Sequence, residues 1–123
     1  ASTGGPKAII EIMQKIPSSI EASFLIVQHM PKGFTRTFAE RISWYSSIKT
    51  KEAEDGDMIL KGAGYVAPAG FHMIAEDISD DTNKRFRIRL DEAPLVNYVR
   101  PSADVTMNSV ADLFGNNIIA VIL

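Results

Sequence analysis

Apolar residues recur at helical spacing near the start of the chain. Ile9, Ile12, Met13 and Ile16 fall on one stripe behind Ser2-Thr3-Gly4-Gly5-Pro6. Proline suits the first turn of a helix, where its fixed φ is right and its missing N–H is not needed. The pattern predicts a helix from Pro6 that Pro17 ends. Phe24-Leu25-Ile26-Val27 is a continuous run of β formers, the signature of a strand covered on both faces, as in a parallel sheet. A second helix is predicted over about Phe34 to Tyr45, with Phe34, Phe38, Ile42 and Tyr45 on one stripe.

The middle of the chain has another rhythm. Val66-Ala67-Pro68-Ala69-Gly70 reads as a turn-rich link, and Phe71–Ala75 as a strand. Phe86, Ile88 and Leu90 alternate with Arg85, Arg87 and Arg89, the period of a strand with one wet face. The polar stretch Glu76–Lys84 between them predicts an antiparallel hairpin with its apolar residues facing the core. Arg100-Pro101-Ser102 introduces a third helix, striped by Ala103, Met107, Val110, Ala111 and Phe114 and ended by Gly115. Ile118–Leu123 reads as a further buried strand. Helices alternating with apolar strands predict an α/β fold. We expect a doubly wound, mostly parallel sheet flanked by helices, with an added antiparallel β-hairpin.

At 123 residues, with 46% hydrophobic and 23% charged positions, the chain has the size and balance of one globular domain. Its 13 Lys+Arg against 15 Asp+Glu leave a formal charge of −2, which argues against a nucleic-acid partner. The longest apolar run, Ile118–Leu123, is far short of the ~20 residues of a membrane span. The absence of cysteine excludes disulfides, thiol nucleophiles and thiolate metal sites, and fits a reducing compartment. The first ten residues lack the basic and apolar stretches of a signal peptide. The chain opens on Ala1 and stops at Leu123 inside an apolar run, so a single domain over 1–123, truncated at both ends, is expected.

His29 follows the predicted strand Phe24–Gln28, and open α/β sheets bind ligands outside the carboxyl ends of their strands. It is placed for a general base, or else for a histidine that caps or packs a strand end. His72 lies within a predicted strand and reads as structural. Ser2 before a helix resembles the second half of a nucleophile elbow, with helix N–H groups offered to a developing oxyanion. Two other readings stay open: Ser2 or Thr3 caps the helix, or the same N–H groups hold an anion. Gly62, Gly64 and Ala67 imitate a dinucleotide fingerprint, but Pro68 and Gly70 stand where its helix should start. Asp77, Ser79 and Asp81 imitate a calcium loop, but Thr82 replaces its glycine and Ile88 its glutamate. Nothing calls for a cofactor or a metal.

Taken in order, Ser2-Thr3-Gly4-Gly5-Pro6, Val27-Gln28-His29-Met30-Pro31, Gly33-Phe34-Thr35 and Phe38-Ala39-Glu40-Arg41 form one constellation. Glu52-Ala53-Glu54-Asp55-Gly56, Tyr65-Val66-Ala67-Pro68, His72-Met73, Val96-Asn97, Arg100-Pro101-Ser102-Ala103-Asp104-Val105 and Ala120-Val121-Ile122-Leu123 continue it. Over essentially its whole length the chain resembles the catalytic domain of the bacterial chemotaxis receptor methylesterases (CheB type).

The resemblance implies a cytoplasmic serine hydrolase that demethylates glutamate γ-methyl esters on chemoreceptor helices and deamidates certain receptor glutamines. It implies Ser2 as nucleophile, His29 as general base and Thr3 as a residue lining the site. It places the third member, an aspartate in a glycine-rich loop, just beyond Leu123, and a phosphorylated receiver domain ahead of the catalytic domain. Asp104 belongs to a different motif and is a poor substitute acid. Without the acid the 123-residue chain is expected to be a weak enzyme. The competing expectation is a non-catalytic α/β module that binds an anion at Gly4-Gly5 or serves only in interaction.

Overall fold

The computed structural model describes residues 3–123. Three short strands, β1 (Phe24–Ile26), β2 (Lys49–Glu52) and β3 (Ala63–Val66), form a parallel sheet in the order β1-β3-β2. Leu25 stands opposite Tyr65, and Thr50 opposite Gly64. Successive side chains of a strand point to opposite faces, and this alternation builds two cores. Phe24, Ile26 and Val66 meet Ile9 and Met13 of α1 (Gly5–Met13) and Phe38, Ala39 and Ile42 of α2 (Phe34–Tyr45). On the other face, Leu25, Val27, Tyr65 and Ala67 pack with Met73 and Ile88.

Met73 and Ile88 belong to the predicted hairpin. β4 (His72–Asp77) and β5 (Phe86–Asp91) pair antiparallel, with Ala75 opposite Ile88. Ile88 is fully buried, while the Arg87 and Arg89 side chains stand half in water and pair with Glu76 and Asp91. The other edge of β5 is taken by residues 56–59: Gly56 N–H donates to Ile88 O and Ile88 N–H to Asp57 O. α3 (Ala103–Phe114) lies on β4.

The order of elements matches the expected α/β class, a mostly parallel sheet with helices and an antiparallel pair. Four details differ. β2 and β3 were not visible in the hydrophobic pattern: β2 is Lys-Thr-Lys-Glu, with only Thr50 buried, and β3 carries Gly64 at its centre. That glycine is required by packing, since a Cβ there would lie 2.5 Å from Thr50 Oγ1. The buried stripe of α2 is Thr35, Phe38, Ala39 and Ile42, while Phe34 and Tyr45 are exposed. The stripe turns toward Thr35 because its hydroxyl donates to the Glu52 carboxylate of β2.

In α3 the buried residue is Thr106, not the apolar stripe. Its hydroxyl donates to Met73 O at 2.7 Å, and Ser109 Oγ accepts the Ala75 N–H at 3.0 Å. The helix docks on β4 through polar side chains, while Phe114 meets Phe86 at 4.6 Å between ring centroids. Finally, Ile118–Leu123 forms no strand, and Ile119, Val121, Ile122 and Leu123 are exposed. A run of β formers becomes a strand only beside a partner, and no described strand pairs with it. No helix among the described residues is long and apolar enough to cross a membrane.

Candidate active site

The parallel register brings the carboxyl ends of β1, β2 and β3 to one edge, with Ile26 opposite Val66 and Glu52 opposite Val66 on its other side. Beyond Ile26 the ladder continues for one bond, Ala67 N–H to Ile26 O at 2.9 Å. The chain then turns outward. Gln28 is buried and its amide donates to His29 O at 3.1 Å, which fixes the backbone at the point where the next side chain leaves the sheet. That side chain, His29, is exposed.

His29 Nε2 lies 2.9 Å from Pro101 O. A carbonyl can only accept, so Nε2 is the donor in this contact, and in the neutral ring the other nitrogen is the one that carries a lone pair. Sequence reasoning missed Pro101 as the histidine's partner: a main-chain carbonyl leaves no side-chain signature. Among the described residues, the partner of this ring is that carbonyl and not a carboxylate.

Pro101 sits in a long loop, residues 92–102, that is fastened along its length. His72 is fully buried in β4; its Nδ1 accepts the Ser102 N–H at 3.2 Å and its Nε2 donates to Pro94 O at 3.0 Å. Both ring nitrogens are occupied, the structural role expected of it. Arg100 Nη1 donates to Glu92 O at 2.6 Å and Ala93 O at 2.9 Å. Asn97 Nδ2 donates to Asp104 Oδ2 at 2.7 Å. Asp104, in the first turn of α3, therefore holds the loop and favours the positive end of its helix. Val96 and Val99 exchange both backbone hydrogen bonds at 3.1 Å around Asn97 (φ 50°) and Tyr98 (φ 65°), a two-residue turn with both central residues left-handed.

Ser2 lies outside the described residues, so its separation from His29 does too. Thr3 is exposed just ahead of α1 and shares no hydrogen bond with His29. Behind it Gly4 takes φ 83° and Pro6 occupies the first turn, so the chain enters α1 through a sharp bend, with no side-chain cap from the described residues. The carboxyls held below their usual range lie on the hairpin. Asp77 is held by the Ser79 hydroxyl and N–H, Asp80 by Thr82 and then Asn83, and Asp91 by the Ala93 N–H and then Arg89. No cluster of three or more histidine, aspartate or glutamate side chains among the described residues is arranged to hold a metal ion.

The model of one protein family, CheB methylesterase, matches residues 1–123. The chain is 42% identical over all 123 residues to protein-glutamate methylesterase/protein-glutamine glutaminase 1 of Syntrophomonas wolfei, covering 35% of that protein. It is 46% identical over the same span to the protein-glutamate methylesterase/protein-glutamine glutaminase of Escherichia coli K12, covering 34% of it. The chain thus spans about a third of the length of these relatives. Among solved structures, the Thermotoga maritima CheB methylesterase catalytic domain superposes with a TM-score of 0.84 at 35% identity, over 92% of this chain and 58% of that one.

Proposed function

The chain belongs to the CheB methylesterase family, and from that premise we propose that it hydrolyses glutamate γ-methyl esters on the cytoplasmic helices of chemoreceptors, in the cytoplasm, and deamidates receptor glutamines by the same chemistry. Ser2 is the nucleophile in this reading, His29 the general base, and Thr3 lines the site. A receiver domain outside these residues is its regulatory partner. The observation that supports it best is the position of His29: exposed beyond the carboxyl end of β1, with one ring nitrogen held by Pro101 O and the other without a hydrogen-bond partner among the described residues.

A serine hydroxyl is a weak nucleophile until a base takes its proton. The unprotonated nitrogen of His29 accepts that proton as Ser2 Oγ bonds to the ester carbonyl carbon. The tetrahedral adduct collapses, the carbon–oxygen bond to the methoxy group breaks, and the imidazolium returns the proton so that methanol leaves. Water, deprotonated by His29 in turn, attacks the acyl-serine and releases the glutamate carboxylate and free Ser2. With glutamine the leaving group is ammonia. N–H groups at the start of α1 are suited to the developing oxyanion.

The test is methanol release from a methylated receptor, together with labelling by a covalent serine probe. Release that is lost in Ser2→Ala, with probe on Ser2 in the parent protein, supports the hydrolase. Phosphate binding that survives Ser2→Ala, with no methanol from the parent protein, supports a non-catalytic anion-binding module instead.

A further inference from the structure

The loop of residues 92–102 is tied down by His72, Arg100, Asn97 and the contact of Pro101 with His29, yet at its tip it delivers an aromatic ring entirely into water. Tyr98 is 95% exposed, and Leu95 of the same loop is exposed as well. The backbone there is unusual for its sequence. The two-residue turn needs positive φ at both central positions, which favours Asn-Gly. This chain supplies Asn97, then a bulky tyrosine at φ 65°. A large side chain is thus held in a conformation that glycine would adopt without strain, and buries nothing in return. Strain kept by an over-determined loop collects at ligand-contacting sites.

The loop also fixes where the ring stands relative to the candidate base. Tyr98 is three positions from Pro101, whose carbonyl meets His29 Nε2. The Cα atoms of Tyr98 and Pro101 therefore lie within ~11 Å of each other. One to two turns of an α-helix, at about 5.4 Å per turn, cover that reach.

We propose that Tyr98 is a specificity-determining residue: its ring contacts an apolar side chain one or two helical turns from the target glutamate on a helical protein substrate. The inference rests on the hydrolase reading above. It assigns Tyr98 to the grip on the protein substrate and not to the chemistry of the ester. A rigid aromatic ring is suited to this role, since it offers a large contact area and loses little side-chain freedom on binding.

Steady-state kinetics of the full-length protein, with methylated receptor and with a small soluble methyl ester as parallel substrates, test it. Tyr98→Gly removes the ring and suits the turn, so the fold is kept or strengthened. The expected result is a KM for methylated receptor raised about tenfold at unchanged kcat. Hydrolysis of the small ester should be unchanged, and Tyr98→Phe should behave as the parent. A Tyr98→Gly protein with unaltered receptor KM overturns the proposal while leaving the hydrolase intact. Equal losses on both substrates also overturn it, placing Tyr98 in the chemistry or the scaffold. A parent protein that releases no methanol from either substrate overturns the hydrolase reading, and this inference with it.

Discussion

His29 and His72 are bonded to adjacent residues of one loop: His29 Nε2 meets Pro101 O at 2.9 Å, and His72 Nδ1 receives the Ser102 N–H at 3.2 Å. The exposed histidine is thus oriented by a segment that the buried one anchors. The two histidines of the chain divide the work, one facing solvent and one holding the support.

His72→Ala leaves a cavity between β4 and the loop and strands both the Ser102 N–H and Pro94 O. Such a change costs about 3 kcal/mol, read as a lower urea midpoint at unchanged slope. Because Pro101 loses its anchor, kcat for methanol release should fall more than receptor KM rises.

Ser2→Ala should abolish methanol release, and His29→Gln should lower it by about three orders of magnitude or more with the fold kept. Residues that act as one unit do not add, so the double variant should be little worse than Ser2→Ala alone. Single-turnover methanol assays on the full-length protein check this.

At Gly64 a methyl group would lie 2.5 Å from Thr50 Oγ1. Gly64→Ala should therefore destabilise the sheet by about 1–3 kcal/mol. Thr50→Ala removes the clashing atom, so the double variant should be more stable than the sum of the two single changes predicts. Thermal or urea unfolding of the four proteins measures the coupling.

Asp80 titrates below the usual aspartate range because it accepts hydrogen bonds from Thr82 and Asn83. A carboxyl whose folded pKa is depressed stabilises the fold above its unfolded pKa, and that contribution is lost as pH falls through the folded value. The hairpin tip should keep its structure at neutral pH and loosen only on acidification past the ordinary carboxylate range of about 4. NMR titration of the Asp80 carboxyl and the Thr82 and Asn83 amides follows it. Asp80→Asn should flatten the acid response of both amides.

Elements with a strong hydrophobic period were legible in the sequence. The hairpin is the clearest case: Ile88 is buried between two exposed arginines, as the alternation requires. α2 was bounded correctly, yet its buried face was misjudged, because a threonine bound to Glu52 carries no hydrophobic signal. α3 repeats the lesson with Thr106 and Ser109. β2 and β3 escaped because an edge strand of lysines and a strand centred on glycine owe their place to neighbours, not to composition. At the candidate site, the strand-end position of His29 was readable from the run before it. Its partner was not, because main-chain carbonyls are the same in every residue.

β3 is the middle strand of the parallel sheet and the last of the three to be synthesised. β1 and β2 share no edge, and among the described strands each pairs with β3 alone. Both cores also wait for it, one needing Val66 and the other Tyr65. Until Ala63–Val66 has emerged, Phe24, Leu25 and Ile26 lack the edge that β3 gives them, and an apolar strand with an open edge is a target for chaperones or for a second nascent chain. The yield of this protein in a cell should therefore depend on how quickly translation crosses the stretch between β2 and β3. A slow codon there would prolong the exposure, whereas the same codon after Val66 would not.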